Sequence, residues 1–225
     1  MYTDYMLMTA AGNVVRDVNS VFTFIEKPYM PVTFKELLVS PNEMKKRFMR
    51  LIDTEIKNKL LGKPAYIRLK VNHITDRDMV KKLYEASSNG VPVDLLVRGN
   101  CSLVAGVPGL SESMHICGII DRYLEHSRIF IFASGGDEKC FIGSADWMPR
   151  NLDNRVEVVT PVYDPAIKAD LARVIDYGLR DTLQGRVVDG SGENLSWSTE
   201  ENVPFRSQEE LYKYYKENNL SQEKQ

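Results

Sequence analysis

Between residues 37 and 97 the sequence alternates short β-type runs with longer helical patterns, and this alternation limits the folds open to it. Leu37 to Val39 reads as a strand. Ser40-Pro41 fits an N-cap followed by proline at the first helical position. Residues 41–60 then carry an amphipathic pattern through Met44, Phe48, Leu51, Ile52 and Ile56, stopped near Gly62 and Pro64. Ala65 to Val71 reads as a second strand. Thr75 can cap a helix over 76–88 that closes at Asn89-Gly90. Val93 to Val97 is nearly all apolar, the pattern of a buried parallel strand. A β-α-β-α-β order of this kind predicts an α/β layer architecture with right-handed crossovers.

The flanking regions are less regular. Val14, Val18, Val21, Phe22 and Ile25 recur at spacings of three and four, so a helix is expected before Pro28 and Pro31. Its apolar side needs a partner, which the reading places in preceding polypeptide. Arg98 to Ser113 is a long loop containing Gly and Pro, a type that is often functional. A short apolar segment follows over 114–120. Ser127 to Phe132 and Lys139 to Ser144 form the arms of a predicted hairpin around Ser134-Gly135-Gly136-Asp137. Arg155 to Pro161 reads as a strand, and Asp164-Pro165 opens a helix to about Arg180. From about 189 the sequence is polar, with Tyr212, Tyr214 and Tyr215 marking a part expected to dock as a helix.

Composition narrows the function classes. The 225 residues are enough for one large or two small domains, and 43% are hydrophobic, near the ordinary globular value. No apolar run approaches the roughly 18–20 residues of a membrane span, and the opening Met1-Tyr2-Thr3-Asp4 lacks a secretory pattern. The net charge of −2 gives no global field for a polyanion, so such a partner needs a local basic patch. The Lys45-Lys46-Arg47 run reads as a solvated helix face, so no nucleic-acid partner is expected. Cys101, Cys117 and Cys140 are widely spaced and suit free thiols in a reducing compartment. His73, His115 and His126 have no partner at metal-ligand spacing, so no metal site is expected within the chain.

The chemistry concentrates between residues 124 and 151. His126 and Arg128 stand two apart and would share one face of a strand. A neutral imidazole beside a guanidinium fork suits a phosphate, and His works as nucleophile or acid–base near neutral pH. Gly143-Ser144 on the adjacent arm would bring a hydroxyl and free backbone N–H groups. Asp146 could orient the imidazole. Singly, each has a plainer reading: Arg128 paired with Glu125 or Glu157, Gly143-Ser144 as a turn, Asp146 as a cap. Together they make H-x-R, a hairpin, then G-S-x-D.

That combination resembles the phospholipase D superfamily signature, with Arg128 where Lys is usual and Asp146 where Asn is usual. Phe132 stands where an Asp is usual six residues after the His. These departures make a hydrolytic phospholipase a poor fit. They resemble the bacterial polyphosphate kinases built on the same fold. The resemblance extends over Tyr2-Thr3-Asp4-Tyr5, Leu7 to Ala10, Pro28 to Phe34, Leu38 to Pro41, Gly90 to Gly99, Val107 to Glu112, Arg122 to Arg128, Gly143 to Asn151 and Arg155-Val-Glu-Val, up to about residue 187.

The resemblance implies an α/β fold with a mixed β-sheet flanked by helices, a phospholipase-D-like domain. Residues 1–30 would end a preceding domain of that kind, 31–188 would form the second, and 189–225 would be a polar tail. It implies reversible transfer of the ATP γ-phosphate to polyphosphate through a phosphohistidine upstream of Tyr2, with Mg²⁺ ligands also upstream. On its own the chain would then be inactive in synthesis. The resemblance assigns His126 as catalytic and Tyr2, Arg98, His126, Arg128 and Ser144 as nucleotide or phosphate contacts. Arg150 and Arg155 would line a polyphosphate path or take structural ion pairs. The implied partners are ATP, ADP and polyphosphate in a cytoplasmic homo-oligomer, with peripheral inner-membrane association left open. Two other classes stay open, a phospholipase-D-like phosphodiesterase or nuclease and a non-catalytic nucleotide- or polyphosphate-binding module.

Overall fold

A computed structural model describes residues 2–198 and 203–222, with side chains described for 3–198 and 203–218. The sheet is assembled from the alternating segment and the hairpin. Strands β2 (Leu38–Ser40), β3 (Ile67–Val71) and β4 (Val93–Val97) alternate with helices α2 (Met44–Leu60) and α3 (Arg77–Ser88). Strands β5 (Met114–Ile119), β7 (Arg128–Phe132), β8 (Lys139–Gly143), β9 (Glu157–Val162) and β10 (Gly185–Val187) complete an eight-stranded mixed sheet in the order β10-β5-β4-β3-β7-β8-β9-β2. The pair β3–β4 is parallel and β3–β7 antiparallel. Two-residue strands β1 (Tyr2–Thr3) and β6 (Leu124–Glu125) pair in parallel beside this sheet.

Alternation along β7 explains the layers. Phe130 and Phe132 face a core shared with Phe48 of α2, Leu83 of α3 and Trp147. Ile129 and Ile131 face the opposite core, shared with Leu171, Val174 and Ile175 of α4 (Pro165–Leu179). Successive strand residues point to opposite faces, so a strand buried on both must be apolar throughout. Phe48 meets Phe130 at 4.8 Å and Trp147 at 5.2 Å between ring centroids. Burying a ring such as Phe48 contributes about 1.5–3 kcal/mol.

Strand β2 pairs antiparallel with β9 at the far edge of the sheet. Two local expectations are corrected. Ser40 is the last residue of that strand and does not cap α2, which begins at Met44 after Glu43. Thr75 does not cap α3. Asp76 does, accepting from the backbone N–H of Asp78 at 3.1 Å and Met79 at 3.0 Å. The carboxylate reaches two of the helix's orphan donors where Thr could reach one.

The ends of the chain rest on this frame. Helix α1 (Gly12–Glu26) buries Val14 and Val21 against Leu37 and Val39, and its Asp17 accepts from the N–H groups of Glu36 and Leu37. Val18, Phe22 and Ile25 of that helix are exposed. Helix α5 (Ser207–Gln222) packs beside α4, where Tyr215 bonds Tyr5 at 3.1 Å and Asp170 at 3.0 Å. Among the described residues no helix is long and apolar enough to cross a membrane.

Candidate active site

Residue 126 lies in the gap between β6 and β7, where the chain leaves the small parallel pair and enters the large sheet. Its backbone N–H donates to the Thr3 carbonyl at 2.8 Å, which extends the β1–β6 ladder by one bond. The side chain turns back on Arg128, whose Nη1 lies 2.8 Å from His126 Nδ1 and 2.9 Å from the His126 carbonyl. Asp4 Oδ2 stands 3.6 Å from the same ring nitrogen. Burial pulls the His126 pKa below the ordinary imidazole value, Arg128 and Arg98 add to this, and Asp4 opposes them. This shift favours the uncharged imidazole, the form that can take up a proton near neutral pH.

Arg128 is fixed by Asp146. Its Nη2 is 3.1 Å from Oδ2 and its Nε 3.3 Å from Oδ1, with both side chains at least nine-tenths buried. Asp146 Oδ1 also accepts from the backbone N–H groups of Asn72 and His73. Burial pushes the Asp146 carboxyl up, but Arg128 and these N–H groups outweigh it and hold it below the usual range. The expectation that Asp146 orients the imidazole is corrected. It orients the arginine, because the guanidinium lies between it and the ring.

Gly143 must be glycine here. A Cβ would sit 2.3 Å from the Val158 carbonyl, since β8 and β9 approach closely at this point. Ser144 continues that ladder: its N–H donates to Val158 at 3.0 Å, so it is not a free donor as expected. Its hydroxyl donates to Glu157 and accepts from Val158 N–H. Asn151 Nδ2 holds the other oxygen of Glu157 at 2.5 Å.

These groups line one cleft of about 350 Å³. His126, Arg128 and Ser144 form one side. Arg98 enters from the end of β4, its guanidinium on the Glu125 carbonyl. Arg150 and Arg155 reach it from a short π-helical turn, Arg150–Asn154, closed by the Arg155 N–H on the Arg150 carbonyl. Among the described residues, Arg98, Arg150 and Arg155 make no ion pair. Four arginines and two histidines thus face two carboxylates, Asp146 and Glu157, each already bonded. The arrangement is a receptor for a multiply charged anion.

A model of the family "Polyphosphate kinase C-terminal domain 2" matches residues 37–208. The chain belongs to this family. Within the polyphosphate kinase C-terminal domain 2 span lie all the cleft residues from Asn72 to Glu157, whereas Tyr2 and Asp4 precede it. The polyphosphate kinase of Escherichia coli K12 is 44% identical over 216 residues, covering 96% of this chain and 31% of that protein. That of Vibrio vulnificus YJ016 is 42% identical with the same coverage. The chain therefore spans about 31% of the length of these relatives. The crystal structure of polyphosphate kinase from Porphyromonas gingivalis superposes with a TM-score of 0.90 at 38% identity, over 95% of this chain and 33% of that one. Nuc from Salmonella typhimurium, a phospholipase D family member, matches at 15% identity with a TM-score of 0.50, over 69% of this chain and 97% of that one. It shares the fold, a mixed sheet flanked by helices.

The cleft gathers Arg98, His126, Arg128, Ser144, Arg150 and Arg155. Of Tyr2 only the backbone is described, paired with Leu124, and its predicted nucleotide contact lies outside the described side chains. His73, Asn72 and Glu157 also line the cleft and were not singled out. The signal for His73 lies in Gly99, where a Cβ would come within 2.4 Å of the ring. Asn100 N–H donates to His73 Nδ1 at 2.9 Å, which fixes the tautomer with the proton on Nε2. The three cysteines are unpaired, and burial pushes the thiols of Cys117 and Cys140 up to about 12, so neither is a nucleophile at neutral pH.

Proposed function

We propose that this chain supplies half of the phosphoryl-transfer site of a cytoplasmic polyphosphate kinase, which moves the ATP γ-phosphate reversibly to the end of polyphosphate. The single observation that carries the reading is the cleft itself, with arginine charge in excess around the His126 imidazole. Family membership and the relatives named polyphosphate kinase support it. In this reading residues 1–30 end a preceding phospholipase-D-like domain, 31–188 form the second, and 189–225 are a tail attached to it. The phosphohistidine belongs to polypeptide before Tyr2, and the complete enzyme is a homo-oligomer.

Phosphoryl transfer asks mainly for positioning and for neutralisation of spreading negative charge. Arg98 and Arg128 hold non-bridging oxygens of the transferred group, with Ser144 and the Tyr2 side chain contributing to the nucleotide. His126 faces the group from the side opposite the phosphorylated histidine and gives or takes a proton at its ring nitrogen. Arg150 and Arg155, on the exposed rim, guide the polymer. In this reading the Mg²⁺ ligands, like the phosphohistidine, belong to polypeptide before Tyr2, and the residues of this chain bind and orient the phosphates.

The phosphodiesterase alternative has less support. Phe132, at the position where the superfamily signature places an Asp, is fully buried against Phe48 and Phe141 and offers no carboxylate. The test is His126→Ala in the complete enzyme, assayed for incorporation of the ATP γ-phosphate into polymer. Loss of an acid–base group predicts a fall of about 10²–10⁴-fold. Near-normal synthesis would reject a chemical role for His126.

A further inference from the structure

We propose that Lys70 and Gln208 are positioning residues that hold the His126 segment in register with the arginines of the cleft. The inference rests on the phosphoryl-transfer reading above and assigns a role within it to the N-terminal turn of α5.

Residues 123–127 cross from the small sheet to the large one, and two side chains from distant elements hold them. Lys70 comes from the middle of the sheet, on β3, and is buried. Its ammonium lies 2.9 Å from Ser127 Oγ and 3.0 Å from Glu125 Oε2, one residue to either side of His126. A buried ammonium needs such partners, so its position fixes theirs.

Gln208 comes from the first turn of α5 and is also buried. Its side-chain amide treats residue 123 as a neighbouring strand would. Oε1 accepts from the Tyr123 N–H at 2.9 Å, and Nε2 donates to the Tyr123 carbonyl at 2.9 Å. The same Nε2 donates to Glu125 Oε1 at 2.9 Å. Glu125 is therefore gripped through one oxygen by Lys70 and through the other by Gln208, while its carbonyl receives Arg98.

The turn that carries Gln208 is itself anchored. Ser207 donates from N–H and hydroxyl to Asp181 Oδ2 at 2.8 and 2.7 Å, and Asp181 is fully buried. Arg206 forks onto Asp121 at 3.0 and 2.6 Å, at the other end of the same segment. The first turn of α5 is thus fastened to Asp181 and, through Arg206, to Asp121 at the start of the backbone that leads into His126. A fixed backbone here keeps the imidazole within reach of Arg128, and sub-ångström placement of this kind governs transfer rates.

The experiment uses Gln208→Met and Lys70→Met, which keep length and remove hydrogen bonding. Ring resonances of His126 are followed by NMR against pH in this chain, with His115, exposed at the far side of the sheet, as internal control. Both variants are expected to broaden or split the His126 resonances and to move their midpoint up towards the ordinary imidazole value, as the ring drifts from Arg128. His115 is expected to stay in place. In the complete enzyme kcat is expected to fall about tenfold in each, with KM for ATP changed less than twofold. His126 spectra matching the unsubstituted chain in both variants would overturn the proposal, as would an unchanged kcat in both. If one variant fails to fold, the other decides. The NMR arm does not depend on the reaction, so failure of the phosphoryl-transfer reading, seen as active His126→Ala enzyme, is distinguishable from failure of this one.

Discussion

Two charge clusters share the turn Arg150–Asn154 and have opposite characters. On one side Asp153 joins Asp76 and Asp78 around Lys45, whose ammonium lies 3.7, 2.9 and 2.8 Å from them. On the other side Arg150 joins Arg98, Arg128 and Arg155 in the cleft with His126. In the first cluster one cation is saturated by three carboxylates. Burial works against the Lys45 charge, Asp78 and Asp76 outweigh it, and its pKa rises. No positive charge remains there for an anion, and the cluster anchors the start of α3. In the second, the carboxylates are occupied and positive charge is left over. A net charge of −2 conceals both. The sign balance in space locates a site, and the count of charged residues does not.

Between the two clusters, the larger expected effect comes from Arg128→Ala. In the complete enzyme, transfer should fall about 10²–10³-fold, the loss typical of one preorganised donor. Denaturant unfolding should show about 3–5 kcal/mol less stability, because Asp146 is left buried without its partner. Adding Asp146→Asn should restore much of the stability and none of the rate. Full activity in Arg128→Ala would erase the distinction between the clusters.

A smaller effect is expected at the other cluster. Asp76→Ala removes both the α3 cap and a partner of Lys45, and should cost about 1–2 kcal/mol. Transfer should stay within about twofold, since the cluster faces no ligand. A loss of rate without loss of stability would show that it belongs to the site.

The smallest effect is a pH dependence. The folded state lowers the His126 pKa, so the unfolded chain binds that proton first. The stability contribution is present above the ordinary imidazole pKa of 6.5 and is lost as pH falls through the folded-state midpoint. Asp146 acts in the same direction at more acid pH. Unfolding free energies measured at descending pH should fall less steeply in His126→Ala than in the unsubstituted chain.

The alternating elements from β3 to β4 were legible because their periods are local. The hairpin β7–β8 was legible because its arms flank a Gly-Gly turn. The place of β2 was not, because its partner β9 lies more than a hundred residues on and no local pattern encodes an edge pairing. His126 and Arg128 could be singled out as residue types suited to phosphate, and Arg98 through the family resemblance. That Asp146 serves Arg128 depends on where the guanidinium turns, which only packing decides. His73 was passed over for the same reason: its approach requires Gly99, a neighbour in space across two strands. Gln208 and Lys70 carry no local pattern that marks their role, which follows from their burial in the fold.

The central claim is that the guanidinium cleft, and not the other charged surface, grips a chain of phosphates. It is tested most directly by titrating tripolyphosphate into the isotope-labelled chain and following arginine Nε, lysine Nζ and histidine ring resonances. Shifts should appear at Arg98, Arg128, Arg150, Arg155, His73 and His126, with Lys45 and His115 unmoved. Shifts centred on Lys45 or another basic surface, with the cleft silent, would contradict the account.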